Sequence, residues 1–186
     1  MKLLKKRSFA ILIVVVVVIA STLVGVYSSA NRVTREIEAH FFDGFILEDG
    51  RPQASIYRHL SNAADAALSL ATLMRNYPEL EDKADALITA QRDFLAAEDI
   101  FGKQLSTFAM QFAFSDLEDA ALQADLTERD KDALRQLSST FNGAITAISN
   151  SQYNAFLVER LSEQNILLRE IGRLLGVREP LTFRLS

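Results

Sequence analysis

The chain has 186 residues, with 20 Lys and Arg against 24 Asp and Glu, and it contains no cysteine. The absence of cysteine excludes a structural disulfide, a thiolate nucleophile, a thiolate zinc site and a lipid-modified cysteine anchor. Four basic residues and no acid fall within the first thirty positions, so the rest of the chain carries 16 basic against 24 acidic residues, a net charge of −8. This balance argues against a nucleic-acid-binding surface, which needs a basic face.

The first predicted element is a membrane-spanning helix over residues 9–28. Its stretch FAILIVVVVVIASTLVGVY has 19 residues and no charge, and at about 1.5 Å per residue it gives about 29 Å of helix, close to the ~30 Å hydrocarbon thickness of a bilayer. Basic residues precede the run and mixed charges follow it, so the positive-inside rule places residues 1–8 in the cytoplasm and residues 29–186 outside. A cleaved signal peptide that ends near Ala30 is the alternative.

Three small residues, Ser21, Gly25 and Ser29, recur every four positions on one face of this helix. Such spacing lets two membrane helices approach closely, which makes the three residues candidates for packing against a second membrane helix and for homo-oligomerisation. Chance in a span rich in small residues is the simpler alternative.

The rest of the chain is predicted to be all-α, an antiparallel bundle of three to four long helices behind the N-terminal transmembrane helix. Residues 31–40 continue the first helix. Two Asp-Gly pairs and Pro52 then predict a turn-rich loop or short hairpin at 41–53, whose apolar side chains are expected to pack against the bundle. These are Phe41, Phe42, Phe45 and Ile46.

Three blocks with apolar residues at three- and four-residue spacing follow. The first ends before Pro78, and the second begins there, with Asn76 as its cap, and reaches residue 112. A connection is expected at 113–126. The third block begins at Thr127, which has an acid three residues on in a pattern close to a capping box, and it persists to Leu174, with Gly176 and Pro180 as its stop. The apolar stripes predict one continuous core: Leu60, Leu87, Phe94, Phe101, Phe108, Leu137, Phe141 and Ile148.

An active site is not apparent in the sequence. The two histidines, His40 and His59, have no helical pairing with a second ligand, and neither a glycine-rich phosphate loop nor a GxSxG elbow is present. The acidic residues at 79–85 and 98–99 point in different directions around a helix, which favours a solvated face over a metal cluster. We therefore predict no catalytic residue, no cofactor and no metal site.

The segment NILLREIGRLLGV, residues 165–177, is strongly amphipathic. Its leucine and isoleucine side chains lie opposite Arg169 and Arg173. Ordinary packing in the bundle is the simpler interpretation, and a position on a membrane surface is the alternative.

One local motif is specific. The stretch ALSLATLMRNYPELED, residues 67–82, ends a predicted helix with Asn76, Tyr77 and Pro78 and enters the next helix through Leu80. Since the residue before a proline disfavours helix, the triplet predicts a packed turn between two helices.

Three later stretches carry related features. Two of them have an aromatic residue next to an asparagine, and the third ends on an aromatic residue. Phe141 and Asn142 lie in STFNGAI, Tyr153 and Asn154 lie in QYNAF, and LGVREPLTF closes on Phe183. Together with the short basic N-terminus, the single membrane helix and the outer helical body, these motifs and the Asn-Tyr-Pro triplet resemble the LemA family. An Asp-Leu-Ile-Pro segment and a later Phe-Pro pair of that family are absent here.

The resemblance implies a bacterial membrane-anchored helical protein and brings no catalytic residues with it. We expect a non-enzymatic envelope protein, single-pass in the cell membrane, that acts as a scaffold or protein-interaction module. Its expected partners are the lipid bilayer, through residues 9–28, other envelope proteins and a second copy of itself. An extracytoplasmic sensor or ligand-binding module is the alternative, and an enzyme ranks third.

Overall fold

The computed structural model describes the backbone of residues 2–47, 50–163, 166–177 and 182–183, and the side chains of all of these except 2–8 and 166–168. The chain divides into two compact units, each taken by itself below. The first unit is Met1–Ile37 with Leu157–Pro180, and the second is Glu38–Phe156 with Leu181–Ser186.

The described elements are almost entirely helical, so the all-α prediction is confirmed. In chain order they are α1 (Lys2–Asp43), β1 (Phe45–Ile46), β2 (Pro52–Gln53), α2 (Ile56–Met74), a 3₁₀ turn (Pro78–Leu80), α3 (Glu81–Ala96), α4 (Ile100–Gln123), α5 (Glu128–Ser149), α6 (Tyr153–Glu163) and α7 (Ile166–Leu174).

The N-terminal helix has the expected length and composition. Over Phe9–Asp43, α1 is long enough and apolar enough to cross a membrane. Its valines are poor helix formers in water, but in lipid the backbone must satisfy its own hydrogen bonds, which favours the helix observed. The predicted helical extension over residues 31–40 is confirmed, since α1 ends only at Asp43.

The helical bundle of the second unit consists of α2, α3, α4 and α5, with α2 in contact with the other three. The side chains of Ser55, Asp99 and Thr127 cap three of these helices, each accepting a hydrogen bond from the backbone N–H three residues on, at 3.0, 2.7 and 3.2 Å. The predicted start of the third block at Thr127 is therefore confirmed. Alanines on α2 allow close approach of its neighbours, and the buried ones are Ala63, Ala64, Ala66, Ala67 and Ala71.

The start of the predicted 41–53 loop is wrong, because residues 41–43 form the last turn of α1. A small hairpin, one of the two predicted forms of this segment, follows the helix. Phe45 pairs with Gln53 across the two antiparallel strands. Gly44 has a φ of +84°, and a Cβ there would lie 2.5 Å from the Gln53 carbonyl oxygen, so only glycine fits. Phe41 is fully buried, but Ile46 is 73% exposed. The expectation that Ile46 packs against the bundle is wrong, because its strand turns it outward.

The second predicted block is two helices and not one. Ala97 leaves the helical region at ψ 130°, and Asp99 caps a new helix that continues to Gln123. The connection expected at 113–126 is therefore wrong over most of its length. Phe114, Leu117 and Ala121 extend the buried face of α4 through that segment.

The break between α3 and α4 also changes the core. Three non-helical residues reset the helical phase, so α4 buries a different face from the one that an unbroken stripe predicts. Phe101 is 58% exposed and Phe108 is half-buried, and the prediction that both are core residues is wrong; Leu137 is also only half-buried. The other predicted core residues are buried: Leu60, Leu87, Phe94, Phe141 and Ile148.

Two further boundaries differ from expectation. The Asn76 side chain does not cap α3; its amide donates to the Leu73 carbonyl oxygen at 3.0 Å and so caps the end of α2. The third block is interrupted at residues 150–152, where α5 ends and α6 begins. Gly176, with a φ of +85°, follows the end of α7 as predicted, whereas Pro180 lies outside the described residues.

Candidate protein-interaction face

The Asn-Tyr-Pro triplet forms the turn between α2 and α3, and hydrogen bonds connect this turn to α5. Tyr77 is half-buried, and its hydroxyl donates to the Asp130 carboxylate in the first turn of α5. The same hydroxyl accepts from the Thr127 backbone N–H at 3.3 Å. Pro78 opens the 3₁₀ turn, and Leu80 at its end is buried. The triplet thus joins the α2–α3 turn to the start of α5, which is a structural role.

The second pair of motif residues contacts the chain end. The Asn154 side chain donates to the Phe183 carbonyl oxygen at 2.7 Å and accepts from the Phe183 backbone N–H at 2.9 Å. Tyr153 is buried against Phe41, with ring centroids 5.7 Å apart, and Phe41 lies 5.3 Å from Phe183. Burial, with a smaller contribution from Glu38, raises the pKa of the Tyr153 hydroxyl. Asn154, Tyr153 and Phe41 therefore hold the C-terminal Phe183 in place.

The other motif pair, Phe141 and Asn142, lies in two different environments. Phe141 is buried and stacks on Phe114, with ring centroids 3.9 Å apart. Asn142 is exposed. On α1, the membrane-helix candidates Ser21, Gly25 and Ser29 are all exposed, and a Cβ added to Gly25 would have no neighbour within 4 Å.

A buried lysine, which the sequence does not reveal, closes the α3–α4 corner. Lys103 is only 3% exposed. Its Nζ donates to the Phe94 carbonyl oxygen at 2.8 Å and lies 4.4 Å from the Phe94 ring centroid and 5.1 Å from that of Tyr57. Burial lowers the pKa of this ammonium group. A cation at the carboxyl end of α3 complements the helix dipole, so the role of Lys103 is to cap that end.

The histidines lie in different surroundings. His40 stacks against Phe45 and Phe156, at centroid distances of 5.2 and 4.1 Å. His59 lines an open groove of about 550 Å³ between α2 and α5, as does Asp65. Burial, and then the charge of Arg58, lowers the pKa of His59. In the described part of the chain, no three His, Cys, Asp or Glu residues are grouped so that they could hold a metal ion.

The outer side of α4 is apolar and largely exposed. Phe101, Leu105, Phe108 and Phe112 follow one another at spacings of four, three and four, so they form one stripe on a helix. Leu105 is 62% and Phe112 is 79% exposed. We call these four residues the outer face of α4.

This face is directly opposite the buried side of the helix. At about 100° per residue, the stripe centres roughly 180° from the side that packs into the bundle. Met110, Phe114 and Leu117 occupy that buried side. The helix is therefore apolar on both sides over its first half. The sequence does carry a signal for this face, because apolar residues lie on two opposite sides of the α4 segment. The predicted core stripe used only one of these sides and took it to be buried.

The outer face is also free of charge. From Ile100 to Ser115 the one charged residue is Lys103, which is buried. Acidic residues reappear only toward the end of the helix, at Asp116, Glu118 and Asp119. Comparison of the chain with protein-family models, with curated proteins and with solved structures gives no match. Functional assignment therefore rests on the geometry of the chain itself.

Proposed function

We propose that this chain is a membrane-anchored, non-enzymatic scaffold that associates with a second copy of itself through the outer face of α4. The observation that carries the proposal is the exposed stripe of Phe101, Leu105, Phe108 and Phe112. The largest apolar patch on a typical monomeric protein covers about 300–600 Å² and is often a binding site. Aromatic residues are also the type most enriched at protein interfaces.

The net charge limits where a second copy can dock. The chain beyond residue 30 carries a net charge of −8, so two copies repel each other over most of their surface. The outer face of α4 is where they can approach without placing like charges together. A two-fold axis brings the same patch of both copies into contact, and an uncharged apolar stripe is complementary to itself.

The size of the patch sets the strength of the contact. A whole aromatic side chain offers roughly 150–250 Å², so the exposed fractions of Phe101, Leu105 and Phe112 amount to roughly 400 Å² per copy. This is about half of the ~800 Å² per partner of a standard interface. We therefore expect weak association in free solution and strong association when α1 confines both copies to one membrane, since tethering raises the effective concentration.

The test uses the absence of native cysteine. Ala109 is exposed and lies beside the stripe on α4, so Ala109→Cys gives the chain one thiol next to the proposed interface. In membranes, a short bis-maleimide, which alkylates one thiol at each end, is expected to cross-link this full-length variant to itself. Adding Phe112→Glu places a carboxylate in the apolar contact. Since burying a phenylalanine side chain is worth about 1.5–3 kcal/mol, this change should lower the association constant of the dimer at least about tenfold.

The matched control is Ala86→Glu, which adds the same charge at an exposed position of α3 and should leave cross-linking unchanged. Undiminished cross-linking in the Phe112→Glu variant would remove the outer face of α4 from the interface. Absence of any self-cross-link would contradict self-association through this face, and capture of a different protein by the Ala109→Cys variant would show that the face binds another partner.

The anchor requires its own test. We propose that α1 is retained and crosses the cell membrane once, with the N-terminus in the cytoplasm and the body outside, as its length and its flanking basic residues favour. The mature protein should then remain with membranes after carbonate washing and begin near residue 1. A soluble mature chain that starts at Asn31 would instead identify a cleaved signal peptide.

The family assignment is also a proposal. We infer a divergent LemA-like protein of the bacterial envelope, supported by the apolar N-terminal helix, the all-helical body and the helix corner at Asn76, Tyr77 and Pro78. The second candidate function is a ligand-binding module, favoured by the groove that His59 and Asp65 line. Thermal stabilisation of the wild type by a small polar ligand, lost in His59→Ala, would support that alternative.

A further inference from the structure

The first unit brings α7 against α1 close to the end of the predicted membrane span. Gly172 of α7 is buried, and a Cβ at that position would lie 2.9 Å from the Ala30 Cβ. The backbones of the two helices therefore approach closely there, at a point that tolerates only glycine without a shift. This contact fixes the level of α7 along α1.

A second contact joins α6 to α1. Arg160 of α6 donates to the Glu36 carboxylate from both Nε and Nη2, at 3.1 and 2.8 Å. Glu36 lies six residues beyond Ala30 on α1, which is about 9 Å farther from the membrane span. Gly172 therefore lies nearer to the predicted membrane span than Arg160 does.

The level of Ala30 corresponds to the lipid headgroups. The apolar run that begins at Phe9 ends at Tyr27, and the polar residues that follow it precede the first charge at Arg32. Ala30 lies about 4.5 Å beyond the end of that run. Each headgroup layer occupies roughly 5–8 Å outside the hydrocarbon core. Gly172 falls within that layer.

At this level α7 exposes apolar surface. Leu174 is 84% and Leu175 is 38% exposed. Leu174 lies about 200° around the helix from Gly172, so it projects away from α1. The Arg173 side chain is also largely exposed beside it, where it is paired with Glu170 at 2.9 Å. An apolar side chain flanked by arginine is the pattern of a helix that lies in a membrane interface.

We propose that α7 is an interfacial helix that lies in the headgroup layer next to α1, with Leu174 inserted among the outer segments of the lipid acyl chains. The bilayer is the partner that the geometry favours, since the contact at Ala30 is continuous with the surface that lipid surrounds. This inference concerns the first unit and does not depend on the outer face of α4. It does depend on α1 crossing the membrane.

The test exploits the absence of tryptophan from the chain. Leu174→Trp introduces a single indole at an exposed position, so the fold should be preserved. Full-length protein is reconstituted in phosphatidylcholine vesicles, with lipids brominated near the headgroup or deep in the acyl chain. Emission from the Leu174→Trp variant should be quenched most by the shallow bromines and little by aqueous acrylamide.

Two matched variants calibrate the result. Val24→Trp, within the span, should be quenched most by deep bromines, and Thr140→Trp, exposed on α5, should be quenched by acrylamide alone. If the Leu174→Trp variant behaves like Thr140→Trp while Val24→Trp is quenched by lipid, α7 is not interfacial and this inference is wrong. If Val24→Trp is not quenched by lipid, the membrane anchor and the interfacial position of α7 are both wrong, whatever the state of the α4 face.

Discussion

Phe183→Ala is expected to destabilise the second unit by about 3–5 kcal/mol, the usual cost of truncating a fully buried phenylalanine. Phe183 is 2% exposed, and its ring packs 5.3 Å from that of the equally buried Phe41. Removing it leaves a cavity beside Phe41 and Tyr153. Because domains are stable by only about 5–15 kcal/mol, the loss is a large share of the total. Guanidinium titration of the full-length protein in detergent, followed by circular dichroism, measures it.

The hydrogen bonds to Phe183 can be separated from its packing. Asn154→Ala leaves the Phe183 N–H and C=O groups without their side-chain partner. The free energy of unfolding should fall by about 1–3 kcal/mol for each of these groups that stays buried. Asn142→Ala is the matched control, because Asn142 is exposed on α5, and it should not destabilise the protein, since alanine has the higher helix propensity.

A third variant tests the ring cluster itself. The buried Tyr153 hydroxyl has no hydrogen-bond partner among the described residues. Tyr153→Phe retains the ring and should therefore leave stability unchanged or raise it slightly. Equal stability of the wild type and Phe183→Ala would show that the chain end is not part of the folded unit.

The sequence predicts the helices well because their signals are local. Apolar spacing of three and four residues, the Thr127 cap and the pre-proline stop each act over a few neighbouring residues. The sequence does not decide the break at Ala97, because Asp99 suits both an N-cap and the solvated face of an unbroken helix. In the structure Asp99 caps the next helix and Lys103 caps the previous one. That break then shifts the phase of the apolar residues of α4 relative to those of α3.

The outer face of α4 shows that an apolar stripe at helical spacing does not by itself prove that the stripe is buried. Phe101 and Phe112 have the same periodicity as a core residue, so a sequence cannot distinguish a buried face from an exposed one when a helix is apolar on both sides. Hydrogen bonds between residues far apart in the sequence cannot be predicted from local patterns either. Asn154 and Phe183 were each singled out, but their pairing spans 29 positions and depends on how the chain returns to α6.

Tyr77→Ala is the second variant with a large expected effect. Truncating a large buried side chain costs about 2–4 kcal/mol, and because Tyr77 is half-buried we expect a value near the lower end, about 2 kcal/mol. The loss combines packing at the α2–α3 turn with the tie to Thr127 and Asp130 in α5. Denaturant unfolding of the full-length protein in detergent measures this value, and Tyr77→Phe, which keeps the ring, should cost less.

The pH dependence of Tyr77→Phe isolates the hydrogen bond to Asp130. The Tyr77 hydroxyl first, and the Thr127 hydroxyl second, hold the pKa of the Asp130 carboxyl below its ordinary 3.8. A carboxyl whose pKa is depressed by folding stabilises the native state above the unfolded pKa, and this contribution is lost as the pH falls through the folded pKa. The difference in unfolding free energy between wild type and Tyr77→Phe should therefore be constant near neutral pH and shrink below about pH 4. NMR titration should also show a higher pKa for Asp130 in the variant. If Tyr77→Ala and Tyr77→Phe are both as stable as the wild type at every pH, the triplet is not a structural tie, and a recognition role for Tyr77 takes its place.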